Sequence, residues 1–272
     1  MSGFSAAWLA LRRAADERAR WREGAERYVQ ALPQVRTRPL LDLACGSGAN
    51  CRYLAPLLAQ PRDWLLVDHD VALWTEARKA CSALPGVRHL AIRELDLARN
   101  LEALDLRDAA GVSAAALLDL VSRPWLERLV ARCAATRLPL LFALCYDGRI
   151  ELSPGDAEDE AIRRAVNRHQ RRDKGFGPAL GPTAPRVAAT LLRAQGYRVA
   201  TAASDWQLTA ADKVDAALLS PLLQGWAVAA QELARSAVSE QRVALWLQRR
   251  ERAIAAGALR VQVGHRDLLA LS

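Results

Sequence analysis

Leu40-Leu41-Asp42-Leu43-Ala44-Cys45-Gly46-Ser47-Gly48-Ala49-Asn50 is the stretch on which the reading of this chain turns. It starts as an apolar run with one acid inside it and passes through Gly-Ser-Gly into residues that favour helix. Strand, glycine turn and helix in that order make a nucleotide-type loop, because glycine lets the backbone turn tightly and approach a ligand closely. Two details narrow the ligand. A dinucleotide loop of the G-x-G-x-x-G kind carries a third glycine where this chain has Cys51, which speaks against NAD. Asp42 lies inside the strand, where a carboxylate repels a pyrophosphate but accepts hydrogen bonds from an amine or from the loop's N–H groups.

Outward from this stretch the chain alternates between strand and helix. Residues 4–31 read as one helix, with Trp8, Leu11, Ala15 and Ala19 at spacings of three and four. Residues 50–60 are helical, and 64–67 form a second apolar run ending at Asp68. Residues 70–83 return to helix. Strands follow at 87–95, ending at Asp96, and at 109–118, ending at Asp119. A helix at 125–135 leads to a fifth strand at 138–144, just before Tyr146. Strands that are apolar throughout and alternate with helices imply a parallel sheet covered on both faces. Beyond them come a charged helix (156–172), a Gly- and Pro-rich loop (174–185), a helix (186–195) and strands at 197–202 and 259–263. A long helical stretch, 221–256, separates the last two strands. No linker divides the chain. Residues 1–272 are therefore expected to form one domain, with a helical lid (1–35), a cofactor half (36–150), an insert (151–185) and the rest of the sheet (186–272).

Composition sets outer limits. The 272 residues are 51% hydrophobic and 25% charged, a globular balance that excludes disorder as the main state. No apolar run is long enough for a membrane span, and the N-terminus lacks the form of a secretory signal. The five cysteines form no CxxC pair and read as free thiols in a reducing cytoplasm. The net charge of +8 comes almost wholly from arginine, since only Lys79, Lys174 and Lys213 are lysine. That balance favours anionic partners, and the heavy use of Ala, Leu and Arg fits a GC-rich bacterial coding bias.

Four acids stand at or near strand ends: Asp42, Asp68, Asp96 and Asp119. In open α/β sheets the ligand sits outside the carboxyl ends of the strands, so all four are expected to face one crevice. Asp68, 20 residues past Gly48, is placed to accept both hydroxyls of a ribose. Asp96 is placed to accept from an adenine amino group.

This order of motifs, DLACGSGAN, VDHD, ELDL and LLDLVS, resembles the class I S-adenosylmethionine-dependent methyltransferases over roughly residues 36–150, and in outline to the end. The resemblance implies a doubly wound, mostly parallel seven-stranded sheet with helices on both faces and an antiparallel last strand. It implies S-adenosylmethionine as cofactor. Asp42 and the backbone of Ala44, Gly46 and Gly48 would hold its methionine part, and Asp68 its ribose. Asp96 and Leu97 would hold the adenine, with His69 stacked over it, and Asp119 and Leu120 would line the methyl-donor side. The family usually has glycine where this chain has Ala44.

Methyl transfer is a displacement at a sulfonium, so the protein's main task is alignment, and a general base is optional. The segment expected to receive the acceptor is Asn167–Pro178, after strand five. From Arg163 to Lys174 it carries six Arg or Lys against one acid. Asn167, Arg168, Asp173, Lys174 and Phe176 are the substrate candidates, under a mobile Gly-Phe-Gly-Pro cover and a lid carrying Trp8, Trp21 and Tyr28. Tyr146 and His169 are the candidates for orienting or deprotonating the acceptor. His169 and Asp173 lack a third and fourth partner, so no metal site is expected. The function expected is methyl transfer to a small anionic molecule. The alternatives are an RNA or protein methyltransferase and a non-catalytic S-adenosylmethionine-binding protein. Against RNA, the place after strand four reads Asp119-Leu120-Val121-Ser122 rather than N/D-P-P-Y/F, and no basic aromatic patch is present.

Overall fold

A computed structural model of the chain describes residues 5–35, 37–232 and 239–272. Eight strands form one sheet: β1 (Leu40–Leu43), β2 (Arg62–Asp68), β3 (Val87–Glu94), β4 (Gly111–Ala115), β5 (Leu140–Ser153), β6 (Arg198–Ala203), β7 (Trp206–Thr209) and β8 (Arg260–Leu271). Their order is β3-β2-β1-β4-β5-β8-β6, with β7 also paired to β8. Strands β1 to β5 run parallel, and β8 lies antiparallel between β5 and β6. The doubly wound sheet with an antiparallel final strand is therefore present, enlarged by the short β7. The order reverses between β1 and β4, which places a crevice over their carboxyl ends.

Alternation along β1 sends Leu41 and Leu43 to one face and Leu40 to the other. On the first face they meet Val112, Leu140 and Phe142 beneath α5 (Arg123–Thr136) and α7 (Ala184–Ala194). On the second, Leu40, Trp64, Leu66 and Leu141 pack under α2 (Arg22–Gln30), α3 (Ala49–Leu54) and α4 (Trp74–Cys81). Asp42 shares this second face, which points it at the start of α3.

Three expectations from sequence are corrected. The helix expected over 4–31 is two helices, α1 (Ala6–Ala19) and α2, broken at Arg20-Trp21; residue 4 lies outside the described residues. Arg20 takes ψ 138° there, its guanidinium donating to Asn50 Oδ1, while the Trp21 N–H donates to Asp267. Strands β5 and β8 run well past the expected ends. Beyond a bulge at Leu144 they continue together as a ribbon, with β7 as its third strand. Helices α1, α6 (Asp159–His169), α8 (Lys213–Glu232) and α9 (Glu240–Ala255) close over that ribbon. The core between them holds Tyr146, Trp206, Trp226, Trp246 and Val263. The helical stretch expected at 221–256 is the C-terminal part of α8 together with α9; its residues 233–238 lie outside the described residues. No helix among the described residues is long and apolar enough to cross a membrane.

Candidate functional site

The glycine loop rises from β1 through three unusual backbone positions. Ala44, Gly46 and Gly48 all have positive φ, of 51°, 52° and 82°. Ala44 is in the left-handed region that favours glycine, which accounts for the glycine usual at this place in the family it resembles. A Cβ on Gly48 would stand 2.5 Å from Cys81 Sγ, so only glycine fits between the loop and α4. Ala116, just past β4, and Leu144, in β5, also have positive φ. Registers Leu43↔Ala114 and Ala115↔Ala143 bring Ala116 level with Leu144 and Ala44 within one residue of them on the central sheet. Such outliers concentrate where a fold shapes a functional site.

Asp42 lies beneath the loop, 1% exposed. Its Oδ1 accepts from Asn50 Nδ2 (2.8 Å) and Ser113 Oγ (3.0 Å), and its Oδ2 has no partner. Burial raises its pKa to about 6, against the pull of those two bonds. Asn50 passes the contact on to Arg20, which stacks on the Tyr53 ring. Asp68 holds the loop from β2: its Oδ2 accepts from the Gly46 N–H (2.8 Å) and its Oδ1 from the Asp70 N–H (2.9 Å). His69 is 66% exposed beside it. Asp96 is half-buried and accepts from the Ala98 N–H, 2.9 Å away. The Leu97 side chain is core, while its carbonyl accepts from Trp125 Nε1. Asp119 is buried past β4 with Oδ1 unpartnered. Burial lifts its pKa to about 6; its own backbone amide, the charge of Arg12, the Tyr146 amide and the charge of Lys174 pull it back down. Leu120 is half-buried beside it.

Helix α1 lies across the crevice. Leu9 reaches the glycine loop, its Cδ1 3.3 Å from where a Cβ on Gly46 would stand. One turn on, Arg12 is buried, paired with Asp16 (2.8 Å) and stacked over the Trp206 ring at 5.1 Å. Trp206 Nε1 donates to Asp16 at 3.0 Å. Arg12, Asp16, Trp206 and His265 escaped the sequence reading. Only the i, i+4 Arg–Asp pair was visible beforehand; the others needed β7 and the full length of β8.

The residues expected to receive the acceptor are placed less centrally. Tyr146 is buried and donates to Asn167 Oδ1 (2.7 Å), and Asn167 donates on to the Gly148 carbonyl. Burial raises the Tyr146 pKa. His169 faces Glu232 of α8 (3.3 Å) rather than Tyr146, and its pKa is lowered by burial first and then by Lys174. Arg168 is exposed, as is Asp173, which accepts from the Gly175 and Gly177 N–H groups. The Gly-Phe-Gly-Pro loop lies against α5 and the segment that follows β4. Phe176 packs edge-on to Trp125 at 5.3 Å, and the Leu180 and Gly181 amides donate to the carbonyls of Val121 and Asp119. Part of the basic face is paired, Arg163 and Arg164 with Glu160 and Arg172 with Glu232. Of the aromatic residues assigned to the lid, Tyr28 is wholly buried core, Trp21 is half-buried against the core and Trp8 packs on the ribbon's core.

No family model and no curated protein matches the chain. Solved structures do. The YcgJ protein of Bacillus subtilis shares 10% identity at TM-score 0.50, over 92% of this chain and 98% of its own. With the strand order above, that settles the architecture. The chain has the class I methyltransferase fold. A SAM-dependent methyltransferase from Thiobacillus denitrificans, solved with S-adenosyl-L-homocysteine, shares 15% identity over 100% of both chains at TM-score 0.48. The geranyl diphosphate C-methyltransferase of Streptomyces coelicolor A3(2) shares 12% identity at TM-score 0.46, over 92% of this chain and 76% of its own. At these identities the likeness is one of fold. In this methyltransferase fold the acids at the ends of β1, β2 and β4 and the glycine loop converge on the switch point, with α1 as their roof.

Proposed function

We propose that the chain is an S-adenosylmethionine-dependent methyltransferase whose acceptor is a small molecule bound beneath α1. The observation that carries this reading is the roofed switch point: a glycine loop with two buried acids, each with an unpartnered oxygen (Asp42 Oδ2, Asp119 Oδ1), under Leu9 and Arg12. The residues fit the cofactor. Gly46 and Gly48 leave the loop without side chains, and Asp68 offers its carboxylate at the end of β2. Asp42 supports the loop from below through Asn50, and Asp96, Leu97 and His69 would hold the adenine. Leu120, next to Asp119, would line the methyl-donor side. When bound, S-adenosylmethionine supplies an electrophilic methyl group on a sulfonium. This chain's residues then have to orient donor and acceptor and exclude water.

A helix laid over the crevice suits a small acceptor better than an RNA or a protein surface. Arg12 and Lys174 are the cations acting on Asp119, and they are where an anionic group on the acceptor would be held. In this reading the chain works as one domain in the cytoplasm, with residues 1–35 as the lid and 151–185 as one wall of the pocket.

One observation favours a second reading, a non-catalytic member of the fold. The Gly46 amide is already taken by Asp68, and Leu9 rests against the same glycine. The test is to incubate the protein with labelled S-adenosylmethionine and a bacterial extract, and to follow the label into metabolite-sized, RNA and protein fractions. Label in the metabolite fraction is expected. Label in RNA or protein would overturn the small-acceptor reading, and no label anywhere would favour the non-catalytic one.

A further inference from the structure

Beside the glycine loop stands a cation that no acid pairs with among the described residues. Arg52 of α3 is half-buried; its Nη1 donates to the Ser47 carbonyl (2.6 Å), and its Nε is buried without a partner. The side-on fork of its guanidinium, Nε with Nη2, therefore has no acceptor among the described residues. That fork is the face that takes a carboxylate by two parallel hydrogen bonds. Helix α1 runs alongside. Leu9 lies against Gly46, and Arg13 stands one turn further along the same face of the helix. Burial first, and the charge of Arg13 second, lower the pKa of Arg52, so the two guanidiniums oppose each other. Glu17 acts on Arg52 from the other side, but it is already bound to Arg13 (3.0 Å). One acid thus stands against two arginines, and one positive charge is left over. The other arginines of this helix that face the sheet have partners, Arg12 in Asp16 and Arg20 in Asn50. Arg13 is exposed and Ser47 half-buried, so the seam between α1 and the loop opens to solvent and not into the core.

We propose that Arg52, together with Arg13 of the lid, holds the carboxylate of the cofactor's methionine part. The inference rests on the methyltransferase reading above and adds two residues to its cofactor site. The sequence reading gives the methionine part to Asp42 and the loop backbone, but neither suits a carboxylate. Asp42 is itself an acid, and the Gly46 amide is taken by Asp68. The two arginines supply the charge that the loop lacks. They also come from different elements, Arg52 from α3 and Arg13 from α1. A carboxylate between them would relieve their mutual repulsion and tie the lid to the loop, so that a bound cofactor would draw α1 onto the crevice.

The test is calorimetric titration of the full chain with two ligands. One is S-adenosylhomocysteine; the other is S-adenosyl-3-thiopropylamine, which differs from it only in lacking the carboxylate. Wild type is expected to bind S-adenosylhomocysteine about tenfold or more the tighter of the two. Arg52→Gln should weaken S-adenosylhomocysteine by about tenfold or more and leave the decarboxylated ligand within about twofold, so that the preference disappears. Arg52→Lys, which keeps the charge without the fork, should retain part of the preference. Arg13→Gln should weaken S-adenosylhomocysteine by about threefold and leave the other ligand unmoved. If Arg52 only shapes the loop, Arg52→Gln weakens both ligands alike, which overturns the inference. If that variant impairs folding, the wild-type preference and the exposed Arg13 position still decide. Equal binding of the two ligands to wild type overturns the carboxylate site and leaves the methyltransferase reading standing. Binding of neither ligand overturns both.

Discussion

The crevice and the helical cap treat buried carboxylates in opposite ways. In the cap, each has a cation or a full set of donors. Asp159 is met by Arg250 and the Trp246 indole, and Asp215 by Arg18 and the Thr209 amide. Asp205 is met by Arg149 and Gln262, and Glu158 by Arg242. At the crevice, Asp42 and Asp119 have no ion pair among the described residues and each keeps a bare oxygen. Paired charges hold a fold to one arrangement, whereas unpaired ones raise its free energy and are retained where something else must bind. On the proposed reading the cap serves stability and the crevice serves binding, and substitutions in the two regions should differ in sign.

The largest effect is expected in the cap. Arg250 is 3% exposed and holds Asp159, so Arg250→Ala should destabilise by about 3–5 kcal/mol in denaturant unfolding, because it strands a partly buried carboxylate. A loss below about 1 kcal/mol would erase the contrast. Next comes a gain at the crevice. Asp119 in the folded chain titrates near 6 against an ordinary value of 3.8, so the folded state binds its proton more tightly than the unfolded one. Its contribution to stability falls as pH rises from about 4 to 6, then stays level. Asn removes that penalty. Asp119→Asn should be more stable than wild type by about 1–3 kcal/mol at pH 7, with the advantage vanishing below pH 4, and should turn over more slowly. Equal stability at pH 7 would show that Asp119 has a partner after all.

A smaller gain is expected at the loop. Ala44→Gly relieves a left-handed alanine and should raise stability by up to about 1 kcal/mol in the same unfolding assay, a result reversed if Ala44 sets the loop's shape. The smallest effect belongs to the basic face. Arg163 is already paired with Glu160, so Arg163→Ala should leave both melting temperature and turnover unchanged. A marked loss of turnover would return that face to the acceptor.

What could be read from sequence follows the same division. The parallel half announces itself locally: apolar runs, two glycines and acids at strand ends are all nearest-neighbour signals. The cap depends on contacts distant in sequence. The break at Arg20-Trp21 contains neither glycine nor proline; it is made by Asn50, 30 residues away, and Asp267, 246 away. Strand β7 is four residues long, and only the alternation of buried Trp206 and Leu208 with Gln207 and Thr209 marked it. The last strand was expected over 259–263, yet β8 runs on through Gly264-His265-Arg266-Asp267, where Asp267 is held by the Leu144 and Trp21 amides. The acceptor candidates were sought in the charged stretch 163–178, where Arg163, Arg164 and Arg172 are held in ion pairs with acids that the local sequence pattern alone does not single out.

The central claim is that the roofed switch point holds S-adenosylmethionine. Calorimetric titration of S-adenosylhomocysteine into wild type and into Asp68→Asn tests it most directly. The account predicts micromolar binding to wild type, weakened at least tenfold in the variant, whose amide holds the Gly46 N–H and ribose hydroxyls less tightly than a carboxylate. No heat and no binding to wild type at millimolar ligand would contradict it and leave α1 as the permanent occupant of the crevice.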